Sequence, residues 1–377
     1  MSPRGIVVLL IALAALALLV ALGHRSGSPE SVQGSALIPG LDKSLNDIER
    51  VTLVKANGET VATLERRPDT WFVTEKSYPA DVAKLRQSLR ALAQARILEG
   101  KTANPELYGR LGVADVAAAD ATGVAVTLVA QGKDLATLII GDAQGAKYRY
   151  VRRTGEAQSF LIDRNPDFPH NASQWLAATI IDVRGERVQQ VTIKHPDGET
   201  IVISKPDRAA MNFDVAGVPK GRELLYPGVA NVIGNSLREL NLEDVEPAGD
   251  AAVEKPVHVE FRTFDGLVVR ATGSEREQHA WVAFEASFDA AQAARFAPPQ
   301  PAPAADAAAA QPGVAADATP SAESAAADGA APTGSAEDPA AEAQRINGRV
   351  SGWRYRVAGF QYDQMTRRMT DLLKPAA

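Results

Sequence analysis

Cysteine is absent from this chain of 377 residues. Its absence excludes disulfide bonds, thiolate metal ligands and a thiol nucleophile. It does not decide the cellular compartment, because proteins of oxidising compartments also do without the residue.

Histidine is scarce, and the residues that are present show no metal-ligand spacing. None of the five forms a pair at positions i and i+4 or stands beside a carboxylate motif. They are His24, His170, His195, His258 and His279. Glu99-Gly100-Lys101-Thr102 matches the end of a phosphate loop, but the upstream glycine is replaced by Ala95. Since nucleophile elbows and dinucleotide-binding glycine motifs are also missing, we predict no catalytic, cofactor or metal residue and no enzyme.

Positive charge is missing between Arg295 and Arg345, where seven carboxylates lie. Without those seven, the net charge of −6 becomes +1, so the remainder is nearly neutral. A nearly neutral body lacks the basic surface that a nucleic-acid partner requires, and none is predicted.

A long uncharged run stands near the start of the sequence. Residues 5–23 are apolar and, as a helix, would extend about 28 Å, close to the hydrocarbon thickness of a bilayer. This length favours an uncleaved transmembrane helix, and a cleavable signal peptide is the competing interpretation. The slight positive bias before the run favours a cytoplasmic N-terminus at residues 1–4 and a body in the periplasm. A cytoplasmic body is the weaker alternative.

Residues 24–40, rich in Ser, Gly and Pro, are expected to form a flexible stalk. Beyond them, two similar stretches lie 140 positions apart, Val51–Val61 and Val191–Ile201. Each alternates β-branched and polar residues around Asn57-Gly58 or Asp197-Gly198, a pattern typical of a hairpin with a type I′ turn. The repetition suggests that one folding unit was duplicated and fused.

Each half also carries one amphipathic segment that predicts a helix. In the first half it runs from an N-cap at Asp81 to about Arg96, and in the second from about Leu224 to Leu240. The predicted fold class is therefore α+β, with two duplicated halves at 41–180 and 181–377, each a mainly antiparallel sheet with a packed helix. A final helix is expected over about Tyr362 to Leu373.

The second half is interrupted by a tract of Ala, Pro, Asp, Gly and Ser at 297–343. This composition buries too little apolar surface to offset the entropy of ordering. We therefore predict a disordered insertion between two strands. The chain after it is expected to complete the fold.

Four arginines alternate with aromatic residues on predicted strands and are candidates for binding a partner. They are Arg149, Arg152, Arg354 and Arg356. An anionic partner would suit such a row, although a solvated strand face gives the same pattern.

Several motifs follow the uncharged run and the Val51-Thr52-Leu53 hairpin. They are Trp71, Pro79-Ala80-Asp81, Tyr108-Gly109, Ile140-Gly141-Asp142 and Tyr148-Arg149-Tyr150-Val151-Arg152. Their order resembles a bacterial family called domain of unknown function 4340. The resemblance covers about Leu41 to Val183 well and the second half less well. It departs after Tyr108-Gly109, where Arg110 and Val113-Ala114 replace the Leu and Pro that such proteins often have. It implies an envelope protein encoded beside ABC transporters of the gliding-motility type, and it carries no catalytic residues.

Together these observations predict a binding or scaffolding accessory of an ABC-type transport system. The chain would be held in the bacterial inner membrane by residues 5–23, with transporter subunits as partners. The alternative is an envelope carbohydrate-binding or hydrolytic protein with a cleft between its halves.

Overall fold

The computed structural model describes residues 33–249, 253–297 and 338–375. The predicted N-terminus, the transmembrane helix, the start of the stalk and residues 298–337 of the predicted insertion lie outside these ranges. Within them, no helix is long and apolar enough to cross a membrane. The chain divides into two compact units between Ala178 and Thr179.

The first unit is built from nine strands and two α-helices in the part of the chain that the structure describes. The strands are β1 Ile48–Lys55, β2 Glu59–Arg66, β3 Trp71–Val73, β4 Tyr78–Pro79, β5 Ile97–Gly100, β6 Val124–Ala130, β7 Lys133–Gln144, β8 Tyr148–Arg153 and β9 Ser159–Ile162. The helices are α1 Leu41–Ser44 and α2 Val82–Gln94, and 3-10 turns include Pro105–Leu111 and Ala172–Trp175. The strands form one antiparallel sheet in the order β4-β3-β2-β1-β6-β7-β8-β9-β5.

The first hairpin and the first helix form where the sequence predicts them. Asn57 and Gly58 both have positive φ, 61° and 66°, as a type I′ turn requires. The Asp81 side chain accepts a hydrogen bond from the Lys84 amide and caps α2. The helix buries Leu85, Leu89 and Leu92 on one face, so its apolar stripe packs inward.

The second unit contains nine strands and five short helices among its described residues. The strands are β10 Thr179–Ile181, β11 Val188–Lys194, β12 Thr200–Ser204, β13 Asp214–Val215, β14 Leu240–Pro247, β15 Val257–Thr263, β16 Leu267–Arg276, β17 His279–Phe288 and β18 Trp353–Val357. The helices are α3 Asn231–Gly234, α4 Ala290–Arg295, α5 Pro339–Val350, α6 Gly359–Met365 and α7 Met369–Leu372. The antiparallel sheet has the order β10-β14-β18-β17-β16-β15-β11-β12-β13.

Eight strands follow the same order in both sheets, β3-β2-β1-β6-β7-β8-β9-β5 in one and β13-β12-β11-β15-β16-β17-β18-β14 in the other. The chain visits them in the same sequence. The ladders also shift register at matching places, between Ile48 and Arg50 in β1 and between Val188 and Gln190 in β11. The described chain is thus mainly β, with two antiparallel sheets and few helices.

The predicted helix from Leu224 to Leu240 is wrong. Only one helical turn forms, at α3, and Leu240 begins β14. Gly228 and Glu239 have φ of 82° and 48°, which no helix interior accepts. The apolar residues of the pattern are still buried, but turns rather than a helix bring them inward: Val229, Ile233, Leu237 and Leu240.

Two other predictions also need correction. The second hairpin turns differently from the first, because Gly198 has positive φ and Asp197 does not. The predicted final helix is divided into α6 and α7, since the α6 C-cap at Thr366 has non-helical backbone angles.

The last residues of the predicted insertion belong to the fold. Helix α5 starts at Pro339, and Asp338 caps it by accepting a hydrogen bond from the Ala340 amide. The helix buries Ala343, Ile346 and Val350. Because β17 and β18 pair in the sheet, residues 289–352 connect two adjacent antiparallel strands.

Candidate functional site

The four predicted partner-binding arginines are divided equally between the two units. Arg149 and Arg152 lie on β8, and Arg354 and Arg356 lie on β18. Their surroundings differ so much that we describe them separately.

Arg152 lies in the interior of the first unit, where it is 4% exposed. It donates hydrogen bonds to the carbonyls of Val113 and Glu156 at 2.9 and 3.1 Å, and to Asp115 Oδ1 at 2.7 Å. Its guanidinium also stacks 4.5 Å from the Tyr108 ring centroid. An arginine satisfied in this way holds its own chain together, and its contact with a partner stays a prediction.

Arg149 is half-buried and also bonds within its unit. It donates from Nε to Asn165 Oδ1 at 2.5 Å and from Nη1 to the Gly141 carbonyl at 2.9 Å. Burial lowers the pKa of Arg149, and the charges of Asp167 and Asp142 oppose that effect. Part of the side chain remains accessible, so contact with a partner stays a prediction for this residue.

Arg354 and Arg356 are half-buried on β18. Arg354 donates to the Gly249 carbonyl at 3.3 Å. Arg356 Nε lies 3.4 Å from Glu243 Oε2, yet it makes no hydrogen bond to the described residues. These contacts leave partner binding by the pair as a prediction.

One face of the first sheet is closed by the segment that joins β5 to β6. We call residues 105–116 the covering segment. Its Tyr108 and Val113 pack with Ala125 of β6 and Ile139 of β7 in one buried cluster. The partly buried residues packed around them are Val54, Leu111, Ala114, Val116 and Tyr150.

Glycines allow the covering segment to approach the strands closely. A Cβ on Gly141 would lie 2.2 Å from the Leu111 carbonyl oxygen, and one on Gly123 would lie 2.1 Å from that of Gly112. No side chain fits at these distances. Leu111 and Gly112, which follow the Tyr108-Gly109 motif, therefore lie against the Ile140-Gly141-Asp142 motif, and its glycine has a structural role.

The equivalent face of the second sheet carries polar side chains. Register pairing places Lys194, His258, Thr272 and Ala283 side by side across β11, β15, β16 and β17. A second row next to it contains Thr192, Glu260, Arg270 and Glu285. The polar residues of the two rows line a groove of about 520 Å³. We call them the open face: Thr192, Lys194, His258, Glu260, Arg270, Thr272 and Glu285.

Two differences leave this face open in the part of the chain that the structure describes. Residues 101–123 join β5 to β6, whereas only 248–256 join β14 to β15, so the second unit has no room for a covering segment in that connection. In addition, the apolar row of Val54, Ala125 and Ile139 in the first unit is matched by Lys194, His258 and Thr272. A row of polar side chains is stable in contact with water, whereas a row of apolar side chains would have to be buried.

Charge on the open face is partly paired. Glu260 accepts hydrogen bonds from Arg262 at 2.7 Å and from Arg270 at 2.8 Å. Burial raises the pKa of Glu260, but these hydrogen bonds outweigh it, so the pKa lies below its usual value. The side chains of Lys194 and Glu285 are exposed and make no ion pair or hydrogen bond with any residue that the structure describes.

Sequence reasoning missed this face, although a signal was present. The run of β6, Val124–Ala130, is apolar at all but one position, which is typical of a strand covered on both faces. In β15 apolar residues alternate with His258, Glu260 and Arg262, which is typical of a strand with one solvated face.

No three His, Asp or Glu side chains among the described residues come together as a metal-binding group.

A family model described as "Domain of unknown function (DUF4340)" matches residues 71–258. This match supports assignment of the chain to that family. The matched region begins at β3 and ends in β15, so the family pattern includes strands of both units. No curated protein and no solved structure matches the chain.

Proposed function

We propose that the chain is a membrane-anchored, non-catalytic accessory protein that docks a polypeptide segment of a partner on the open face. The partner in this proposal is a subunit of an ABC-type transport complex. The uncharged run at residues 5–23 would hold the protein in the inner membrane, with both units in the periplasm.

The contrast between the two sheets is the observation that supports docking most directly. In the first unit the chain's own covering segment lies across the face formed by β1, β6, β7 and β8. The second unit has the same strand order, and no residue that the structure describes covers the matching face. In the first unit, the face formed by these strands therefore binds a polypeptide segment of the chain itself. In the second unit, the charged side chains of the open face would favour a polar segment of a partner.

The same strand order, with matching register shifts, also supports an origin by duplication of one unit.

A charge-swap variant tests docking in the full-length protein. Lys194→Glu combined with Glu285→Lys leaves the net charge unchanged and breaks no ion pair within the described residues. We expect affinity capture from membranes to recover transporter subunits with the original protein and about tenfold less with the variant, because like charges then face each other.

The matched control is Lys133→Glu with Glu106→Lys, two exposed residues of the first unit. This control variant should capture the same amount of transporter subunits as the original protein. Equal capture by the charge-swap variant would show that the open face is merely solvated, and capture of no transporter subunit by the original protein would overturn the accessory role.

A further inference from the structure

The exposed side of helix α2 carries arginines without partners. Arg86 and Arg90 lie one turn apart on it, and Arg164 lies beside them in a shallow cleft of about 550 Å³. The side chains of all three are exposed and make no hydrogen bond or ion pair with the described residues. A second cleft, of about 310 Å³, also contains Arg86 and Arg90 and adds Arg66.

No carboxylate lines either cleft in the part of the chain that the structure describes. The helix itself contains Lys84, Arg86 and Arg90 and no acidic residue. Like charges at i and i+4 repel each other, so the fold gains nothing from this arrangement. An anion from outside the protein would neutralise it.

The point where the chain enters the first unit indicates which anion lies nearby. The first described residues run beside the end of α2, where the Gly34 amide donates to the Ile97 carbonyl at 2.7 Å and the Leu37 amide to that of Ala95 at 2.9 Å. Residues 24–32 separate this point from the uncharged run and can extend about 30 Å at most. If residues 5–23 span the bilayer, α2 is tethered within reach of its surface.

An aromatic side chain accompanies the arginines. Trp71, half-buried at the start of β3, lines the second cleft together with Arg66, Arg86 and Arg90. Tryptophan and arginine together are typical of protein surfaces that lie at the level of lipid headgroups.

We propose that Arg86, Arg90 and Arg164 bind the headgroups of anionic phospholipids and hold the first unit against the membrane. This inference rests on the anchoring of residues 5–23 in the proposed function. It adds a second contact, which fixes the height and orientation of the first unit above the bilayer.

The absence of cysteine allows a clean test in the full-length chain. Gln87→Cys, between Arg86 and Arg90 on the exposed side of α2, accepts a single fluorescent label. The labelled protein is placed in phosphatidylcholine nanodiscs, with and without phosphatidylglycerol, that contain a lipid with a nitroxide on its headgroup. We expect strong quenching only with phosphatidylglycerol and a loss of quenching at high salt.

Replacing Arg86, Arg90 and Arg164 by Gln should lower the ratio of docked to undocked protein on the order of 100-fold. The reason is that three basic residues are lost, each of which makes the usual contribution to the free energy of binding at an anionic surface. Lysine at the same three positions should retain the quenching. Arg110→Gln, Arg184→Gln and Arg238→Gln together, at exposed positions, give the same change in net charge elsewhere and should have no effect. Equal melting temperatures exclude misfolding.

The outcomes separate this inference from the proposed function. If the chain resists alkaline extraction from membranes but the label is unquenched, or is quenched equally in the glutamine variant, anchoring stands and headgroup binding is overturned. Quenching lost in the lysine variant also overturns it. If alkaline extraction releases the chain, anchoring is overturned, and sedimentation with phosphatidylglycerol vesicles then decides headgroup binding. Arginine-dependent sedimentation supports it, and its absence overturns it.

Discussion

Arg187 and Glu342 form a bidentate ion pair in the second unit, with Nη1–Oε1 and Nη2–Oε2 distances of 3.0 and 2.6 Å. Arg187 directly precedes β11, whereas Glu342 lies on α5, near the end of the Ala/Pro-rich tract. Glu342 is 5% exposed. The pair therefore fixes the end of the tract beside the start of β11.

Glu342→Gln should lower the free energy of unfolding of the second unit by about 2 kcal/mol. The substitution leaves a partly buried guanidinium with one charged partner, Asp265, at 2.9 Å. Urea unfolding measures the effect. Glu186→Gln, at an exposed neighbour of Arg187, should change the free energy by less than about 0.5 kcal/mol. Equal effects of the two substitutions would show that the ion pair contributes nothing.

Asp265 makes this cluster sensitive to acid. Burial raises the pKa of Asp265, but the hydrogen bond from Thr263 and the charge of Arg187 outweigh this effect and place the pKa below its usual value. The folded unit thus binds this proton less readily than the unfolded chain. Its contribution to stability is complete above the unfolded pKa, near pH 4, and is lost as the pH falls through the folded pKa.

We expect the difference in free energy of unfolding between the original protein and an Asp265→Asn variant to shrink from about pH 6 to about pH 3. Urea titrations at several pH values measure it. A difference that stays constant over this range would show that the proton is bound equally in both states.

The sequence predicts local features of this fold better than its long-range contacts. The Asn57-Gly58 turn and the Asp81 cap depend on adjacent residues, and both form as predicted. The ion pair of Arg187 with Glu342 joins residues 155 positions apart. Because Glu342 stands in a compositionally biased tract, its sequence environment favours disorder and conceals its partner.

The failed helix from Leu224 to Leu240 has a related cause. Apolar spacing shows which residues are buried, but not which backbone buries them. Asn231 accepts a hydrogen bond from the Phe213 amide at 3.0 Å and donates one to Asn212 Oδ1 at 2.8 Å. These contacts with a distant loop stabilise turns at the expense of a continuous helix.

Gly141→Ala should destabilise the first unit by about 1 to 3 kcal/mol, because the new Cβ would lie 2.2 Å from a backbone oxygen that cannot move alone. Gly109→Ala is the matched control in the same motif pair. Its Cβ meets nothing within 4 Å and its φ is not positive. Thermal unfolding of both variants measures the difference. If the Gly141→Ala variant has the same melting temperature as the control, the covering segment is less tightly packed than its contacts indicate.

Arg152→Met should also destabilise the first unit, by about 2 kcal/mol. Methionine fills much of the same volume but leaves the carbonyls of Val113 and Glu156 without their donor. Arg110→Met, at an exposed position of the covering segment, should be nearly neutral. Chemical unfolding of both variants provides the comparison.

This substitution also separates a structural role of Arg152 from a binding role. Because the side chain is 4% exposed, capture of a partner by the Arg152→Met variant, normalised to folded protein, should equal that of the original. Reduced capture by folded protein would show that the covering segment opens when the partner binds. In that case the closed face of the first unit, like the open face of the second, would accept a chain from outside.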